Sequence, residues 1–168
     1  LETKQRAHKK ILILKPFLDD RFKASNRIVS KKKKAEKFEP DDSMPAHPIQ
    51  DEVEFIRLIL KEEPDVLGID EAQFFGLWLG PALLELRNAK GLEIYIAGLD
   101  LDAWAKPFGP MPEILAYSDD IQKFTANCFK CGQDARFTQK IGGSSEKIQI
   151  GAEDLYEARC EYCWTPPA

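Results

Sequence analysis

The sequence predicts an α/β protein: a parallel sheet flanked by helices, followed by a small β-rich C-terminal domain. Three observations carry this prediction. Apolar runs of strand length recur at 9–16, 65–70 and 92–98, and segments of helical periodicity separate them. Continuous apolar strands alternating with helices are the pattern of a parallel sheet covered on both faces. Past residue 120 the character changes to short alternating segments, and all four cysteines fall there. The expected division is therefore a core at 1–120 and a smaller domain at 121–168.

Taken in order, residues 1–9 read as the tail of a helix with no N-cap signal of its own. Ile11-Leu12-Ile13-Leu14 forms the heart of a short buried strand that Pro16 ends. Residues 23–50 carry four consecutive lysines at 31–34 and prolines at 40, 45 and 48. They read as a solvated loop, since like charges in a block repel and do not pack; a basic edge near a nucleotide is the minority reading. Asp51 caps a helix running to about 62, with Val53, Ile56, Ile59 and Leu60 at helical spacing. The strand at 65–70 ends in a carboxylate. A helix at 77–89 is closed by Gly91, and a third buried strand follows at 92–98. Residues 100–118 are loop-like with a short helix from Pro112, and Gly142-Gly143 marks a turn between later β segments.

The chain has 168 residues, 43% of them hydrophobic and 31% charged. That suits one domain, or one domain with a small appendage, and argues against disorder. Its apolar runs are too short or interrupted to span a bilayer. No basic segment followed by an apolar run and a cleavage site opens the sequence, so the cytoplasm is the default expectation. A formal net charge of −4 does not fit a general polyanion binder, and no basic, aromatic-laced face surrounds the cysteines. Neither a nucleic acid polymer nor a membrane is expected as a partner.

Cys128-x-x-Cys131 and Cys160-x-x-Cys163 are separated by twenty-eight residues. A CxxC turn lets both thiolates face one point, and two such turns complete a tetrahedral sulfur shell for zinc. Disulfides or buried free thiols are the alternatives; the first is disfavoured without a secretory signal. Four protein ligands close the shell, which makes the metal structural.

Asp70-Glu71 at the end of a buried strand admits two readings. An acidic pair there is commonly a helix cap. It also has the form of the acidic strand end of ATP-dependent phosphotransferases, where one carboxylate is associated with Mg²⁺ and a neighbour can act as general base. Ligands in open α/β sheets gather beyond the carboxyl ends of the strands, where this pair lies.

Longer blocks decide between these readings. Lys15-Pro16-x-x-Asp19-x-Arg21, Ile69-Asp70-Glu71-Ala72-Gln73-Phe74-Phe75, Gly98-Leu99-Asp100-Leu101-Asp102 and Lys106-Pro107-Phe108-Gly109-Pro110-Met111-Pro112 occur in that order. Cys128-x-x-Cys131-x-x-x-Ala135-x-Phe137-Thr138 and Ile150-Gly151-Ala152-x-x-x-Tyr156-x-Ala158-x-Cys160-x-x-Cys163 follow. Together they closely resemble the type II (cellular, tetrameric) thymidine kinases across nearly the whole chain.

The resemblance implies a P-loop-kinase-like core plus a small zinc domain whose loop, the lasso, closes over thymidine. It implies transfer of the γ-phosphoryl group of ATP to the thymidine 5′-hydroxyl. Glu71 matches the family's general base and Asp70 its Mg²⁺-associated residue. Arg21 matches an arginine near the phosphates, with Asp19 beside it. Phe74, Leu99, Phe108, Thr138 and Tyr156 match residues lining the nucleoside pocket, whereas Phe75 reads as core. A homotetramer, and feedback inhibition by thymidine triphosphate, are further family expectations.

The chain departs from the pattern in three places. Its first glycine is Gly68, so the family's GxxxxGK[ST] phosphate loop is not found. Aligning Lys15-Pro16 puts Leu1 inside the helix after that loop, and the expectation is a longer polypeptide. The rival is a catalytically silent fragment or paralogue acting as a nucleotide-binding or zinc-ribbon interaction module. Ala103 stands where the family usually has Phe, with Trp104 beside it to fill the space. Ser30 is followed by Lys31 in place of the usual His, within an expanded polar stretch at 31–45.

Overall fold

The computed structural model describes residues 9–17, 27–29, 43–142 and 155–167. Its centre is a parallel sheet of β1 (Ile11–Pro16), β4 (His47–Ile49), β5 (Val66–Ile69) and β6 (Glu93–Ile96), in the spatial order β4-β1-β5-β6. Ile11 pairs with Val66 and Leu14 with Ile69; Val66 pairs in turn with Glu93 and Ile69 with Ile96. The chain moves outward in opposite directions from β1, to β4 on one side and to β5 and β6 on the other. The order therefore reverses at β1 and β5, and the crevice beyond their carboxyl ends is where such sheets bind ligands.

The strand sequences explain this placement. Leu12, Ile13, Leu14, Val66, Leu67 and Ile69 are all buried, as a strand covered on both faces requires. Helix α1 (Glu52–Glu62) begins at Asp51, whose Oδ1 accepts the Glu54 N–H at 2.8 Å. Helix α2 (Leu79–Lys90) stops at Gly91, whose φ of 62° is one that glycine adopts at little cost. A short helix, α3 (Met111–Tyr117), has Pro112 in its first turn, where a missing N–H costs nothing. Phe55, Ile59, Leu79, Leu83 and Ile114 join the strands in one core, each large side chain contributing about 1.5–3 kcal/mol by burial.

Three expectations are corrected here. The third strand, expected to be buried, is half-buried with Tyr95 exposed, because β6 ends the described sheet. Part of the stretch read as loop is sheet: β2 (Arg27–Val29) pairs antiparallel with β3 (Ser43–Pro45), and β4 is a strand of the main sheet. Prolines obscured this, yet an edge strand tolerates a residue without an N–H, and Ala46 and Ile49 are buried. The tetralysine lies outside the described residues. The buried face of α1 is Phe55 and Ile59, with Ile56 and Leu58 packed at its margin, whereas Val53 and Leu60 are exposed. Their spacing is helical, but they sit on the side away from the sheet.

The C-terminal part contains two small ribbons. Strand β7 (Ala126–Asn127) pairs with β8 (Asp134–Ala135), and β9 (Phe137–Lys140) pairs antiparallel with β10 (Tyr156–Arg159). Directly opposed residues share a face, so Thr138, Lys140, Tyr156 and Ala158 lie on one side of the second ribbon. The other side carries Phe137, stacked on Trp164 with centroids 5.2 Å apart, and buried Gln139, whose Oε1 accepts the Thr165 N–H at 2.8 Å. The chain's end thus covers one face and leaves the Thr138–Tyr156 face turned away from it. Gly143, the second residue of the expected Gly-Gly turn, lies outside the described residues.

Candidate active site

The carboxyl end of β5 turns sharply through Asp70 and Glu71 into a single 3₁₀ turn, Ala72–Phe74. Glu71 has φ 53° and ψ 41°, a left-handed conformation that costs an L-residue with a Cβ about 1–2 kcal/mol. Such strain persists only where the surroundings over-determine it. Here the Glu71 N–H donates to Asp70 Oδ1 at 3.0 Å, and the next N–H, of Ala72, donates to the Ala97 carbonyl at 3.0 Å. The Glu71 side chain is fixed as well, because Gln73 Nε2 donates to its Oε2 at 2.6 Å. Glu71 thus stands at the N-cap position of this turn, but neither it nor Asp70 caps it with a side-chain hydrogen bond to the turn's own N–H groups. Glu71 is exposed and Asp70 half-buried, at the edge of the crevice.

Aromatic and apolar groups surround this turn. Phe74 meets Phe108 edge-on, with centroids 5.4 Å apart at 83°. Phe75 instead enters the core against Trp78, as the sequence reading expects. Leu99 follows β6, its N–H bonded to the Gln73 side chain and its own side chain about half exposed. Residues 100–108 fold back on themselves. Asp102 Oδ1 accepts the N–H groups of Trp104 and Lys106, each at 2.9 Å, and the Phe108 N–H reaches the Asp100 carbonyl at 3.1 Å. Gly109 is dictated by this packing. A Cβ there would lie 2.2 Å from the Gln73 carbonyl oxygen, and its φ is +49°.

Phe74, Leu99, Phe108 and the Asp70–Glu71 pair are thus gathered at one place. Thr138 and Tyr156 come from the second ribbon, on the face where Lys140 lies with its ammonium 5.7 Å from the centroid of the Trp104 ring. That contact, and the 2.7 Å ion pair of Lys123 with Asp100, join the C-terminal part to the loop bearing Leu99 and Phe108. Trp104 therefore turns toward the ribbon, while Ala103 is buried. Asp19 and Arg21 lie outside the described residues. The sequence reading assigned nothing to Gln73. Its signal was a Glu-x-Gln spacing, with glycines at 98 and 109 where the chain must pass close to it.

The four cysteine sulfurs all lie within 4.8 Å of one another, with Cys131 Sγ and Cys160 Sγ 3.6 Å apart, and none is disulfide-bonded. A tetrahedral shell of sulfurs about 2.3 Å from zinc separates them by roughly 3.8 Å, so the quartet has the dimensions of a metal shell. Gly132, at φ +76°, follows Cys131, and its N–H donates to the Cys128 carbonyl; the Cys163 and Trp164 N–H groups close the second turn on the Cys160 carbonyl. Burial pushes the Cys128 thiol up, but N–H groups of Cys160, Cys131 and Lys130 outweigh it and bring it down to about 6. Cys163 is pushed up to about 12, first by its hydrogen bond with Cys160 and then by burial. Such crowding of sulfurs suits a cation at their centre.

The family model described as TK: Thymidine kinase matches residues 1–164. The chain belongs to the thymidine kinase family. It is 39% identical over 161 residues to a thymidine kinase of Deinococcus radiodurans, covering 90% of this chain and 74% of that protein. A thymidine kinase of a Rhodothermus species is 34% identical over 167 residues, covering 99% and 73% respectively. One from Bdellovibrio bacteriovorus is 36% identical over 160 residues, covering 95% and 73%. Membership of the thymidine kinase family makes the chain a phosphotransferase that uses ATP and thymidine, with four cysteines poised to bind a metal ion. No helix among the described residues is long and apolar enough to cross a membrane.

Proposed function

We propose that this enzyme transfers the γ-phosphoryl group of Mg-ATP to the 5′-hydroxyl of thymidine or deoxyuridine, with Glu71 as general base, in nucleotide salvage for DNA synthesis. The observation that carries this reading is the strained, doubly tethered Glu71 beside the Phe74–Phe108 pair. The Glu71 carboxylate takes the hydroxyl proton as the nucleoside oxygen bonds to the γ-phosphorus, and the β,γ-bridging oxygen leaves with ADP. Phe74, Leu99 and Phe108 form the wall against which the nucleoside packs. Thr138 and Tyr156 close over it from the ribbon.

Asp70 sits at the strand end where a carboxylate can hold the water shell of Mg²⁺, and it spends one oxygen on orienting Glu71. When bound, that ion neutralises phosphate charge. Asp19 and Arg21 act beside the phosphates, the arginine by spreading positive charge over the equatorial oxygens. Zinc in the cysteine quartet is structural. The functional division is a nucleotide-binding core at 1–120 and a zinc-bearing lasso domain at 121–168. Assembly as a homotetramer in the cytoplasm, with thymidine triphosphate as feedback inhibitor, completes the reading by family resemblance.

The direct test is ADP release from ATP measured with each deoxynucleoside in turn. Thymidine and deoxyuridine should support turnover, with purine deoxynucleosides at least about 100-fold poorer, since a site built to bond one base edge leaves its polar groups unpaired with another. Equal turnover with all of them would refute the assigned substrate.

A further inference from the structure

Gln73 is the one polar side chain apart from Gln139 that is buried among the described residues, only 2% exposed. Its two amide atoms point to different partners. Oε1 accepts the Leu99 N–H at 3.0 Å, while Nε2 donates to Glu71 Oε2 at 2.6 Å. A backbone N–H can only donate and a carboxylate can only accept, so this pair of partners fixes the orientation of the amide. Two glycines leave room for it. A Cβ on Gly98 would lie 2.8 Å from Gln73 Oε1, and one on Gly109 would lie 2.2 Å from the Gln73 carbonyl oxygen.

From this we infer that Gln73 is a positioning residue, which aims the Glu71 carboxylate at the acceptor hydroxyl and couples it to the nucleoside wall at Leu99. The inference rests on the reading of Glu71 as the base. A donor fixed on one carboxylate oxygen leaves the other turned to the substrate proton. The same amide carries the Leu99 backbone, so a shift of the nucleoside wall moves the base with it. Glutamine suits this position because it is neutral, presents one donor and one acceptor at opposite corners, and cannot itself take the proton.

The test measures kcat and KM for thymidine across pH in Gln73→Met, Gln73→Glu and Gly98→Ala, with Glu71→Gln alongside. Gln73→Met keeps the length and removes both bonds; kcat should fall about 10- to 100-fold, the cost of a mis-aimed reacting group. Gly98→Ala keeps the amide but displaces it, and should lower kcat in the same direction. Gln73→Glu is the decisive variant. The carboxyl group it introduces can, while protonated, still donate to Glu71, so the singly protonated pair mimics the wild type. At higher pH both carboxyls ionise, repel, and release the base. A new alkaline loss of kcat should therefore appear that the wild type lacks.

A purely structural role would lower activity or yield without changing the shape of the pH profile. Wild-type kcat in Gln73→Met, or an unaltered profile in Gln73→Glu, would overturn the positioning role even with Glu71→Gln inactive. Full turnover by Glu71→Gln would overturn the base itself, and with it the coupling.

Discussion

The turn after β5 and the cysteine quartet are both small constellations of side chains, and they are held together by opposite means. The turn stands on the main core, where Leu14, Leu67, Ile69, Ala72 and Leu79 are buried beneath it. That foundation lets Glu71 adopt a left-handed conformation, because neighbouring hydrogen bonds and packing outweigh a strain of about 1–2 kcal/mol. Among the described residues the quartet has little apolar support. Its own cluster consists of Cys128, Ala135 and Cys160, with Ala158 and Cys163 at the margin. The sheet organises the turn, whereas the four gathered sulfurs are poised for a metal ion that would tie the ribbons together. Strain belongs where the fold can hold it.

Removing the metal should break this comparison most visibly. Cys160→Ser, or prolonged chelation, should take bound zinc from one ion per chain to none and abolish turnover, because binding free energy at such sites is folding free energy. The sheet should survive with its amide protection intact, read by hydrogen exchange. Collapse of both parts together would show that the sheet leans on the ribbons after all. A smaller effect is expected where the two parts meet. Trp104→Ala removes the ring beneath the Lys140 ammonium, a contact of about 0.5–1 kcal/mol, and should raise KM for thymidine about two- to fivefold with stability unchanged. A change in Tm without a change in KM would place that contact outside substrate closure. Least disturbing to function is Asp51→Ala, which removes the α1 cap. It should cost about 1 kcal/mol in denaturant unfolding and leave zinc content and KM untouched.

Much of this architecture is legible in the sequence because its signals are local. Asp51 caps, Gly91 closes, and the buried strands carry short apolar runs at 11–14 and 66–69, whose length and β-branched residues mark them as strands. The two CxxC turns likewise carry their geometry in their spacing. What escaped is non-local. Strand β4 is short and proline-bearing, and becomes a strand only because β1 offers it an unpaired side. Val53 and Leu60 match the helical period but fall on the outer face, since direction relative to the sheet is a property of packing. Gln73 shows the same limit. Its importance lies in Leu99, twenty-six residues away, and in Gly98 and Gly109 approaching it across the crevice.

The reading of the crevice stands or falls with the carboxylate at its edge. Single-turnover transfer from γ-labelled ATP to thymidine in Glu71→Gln, with the thymidine Kd measured on the same preparation, tests it most directly. A Kd within about threefold of the wild type, together with transfer slowed about 100-fold or more, is the predicted result. Transfer at the wild-type rate would mean that another group takes the proton and that Glu71 is strained for a different reason.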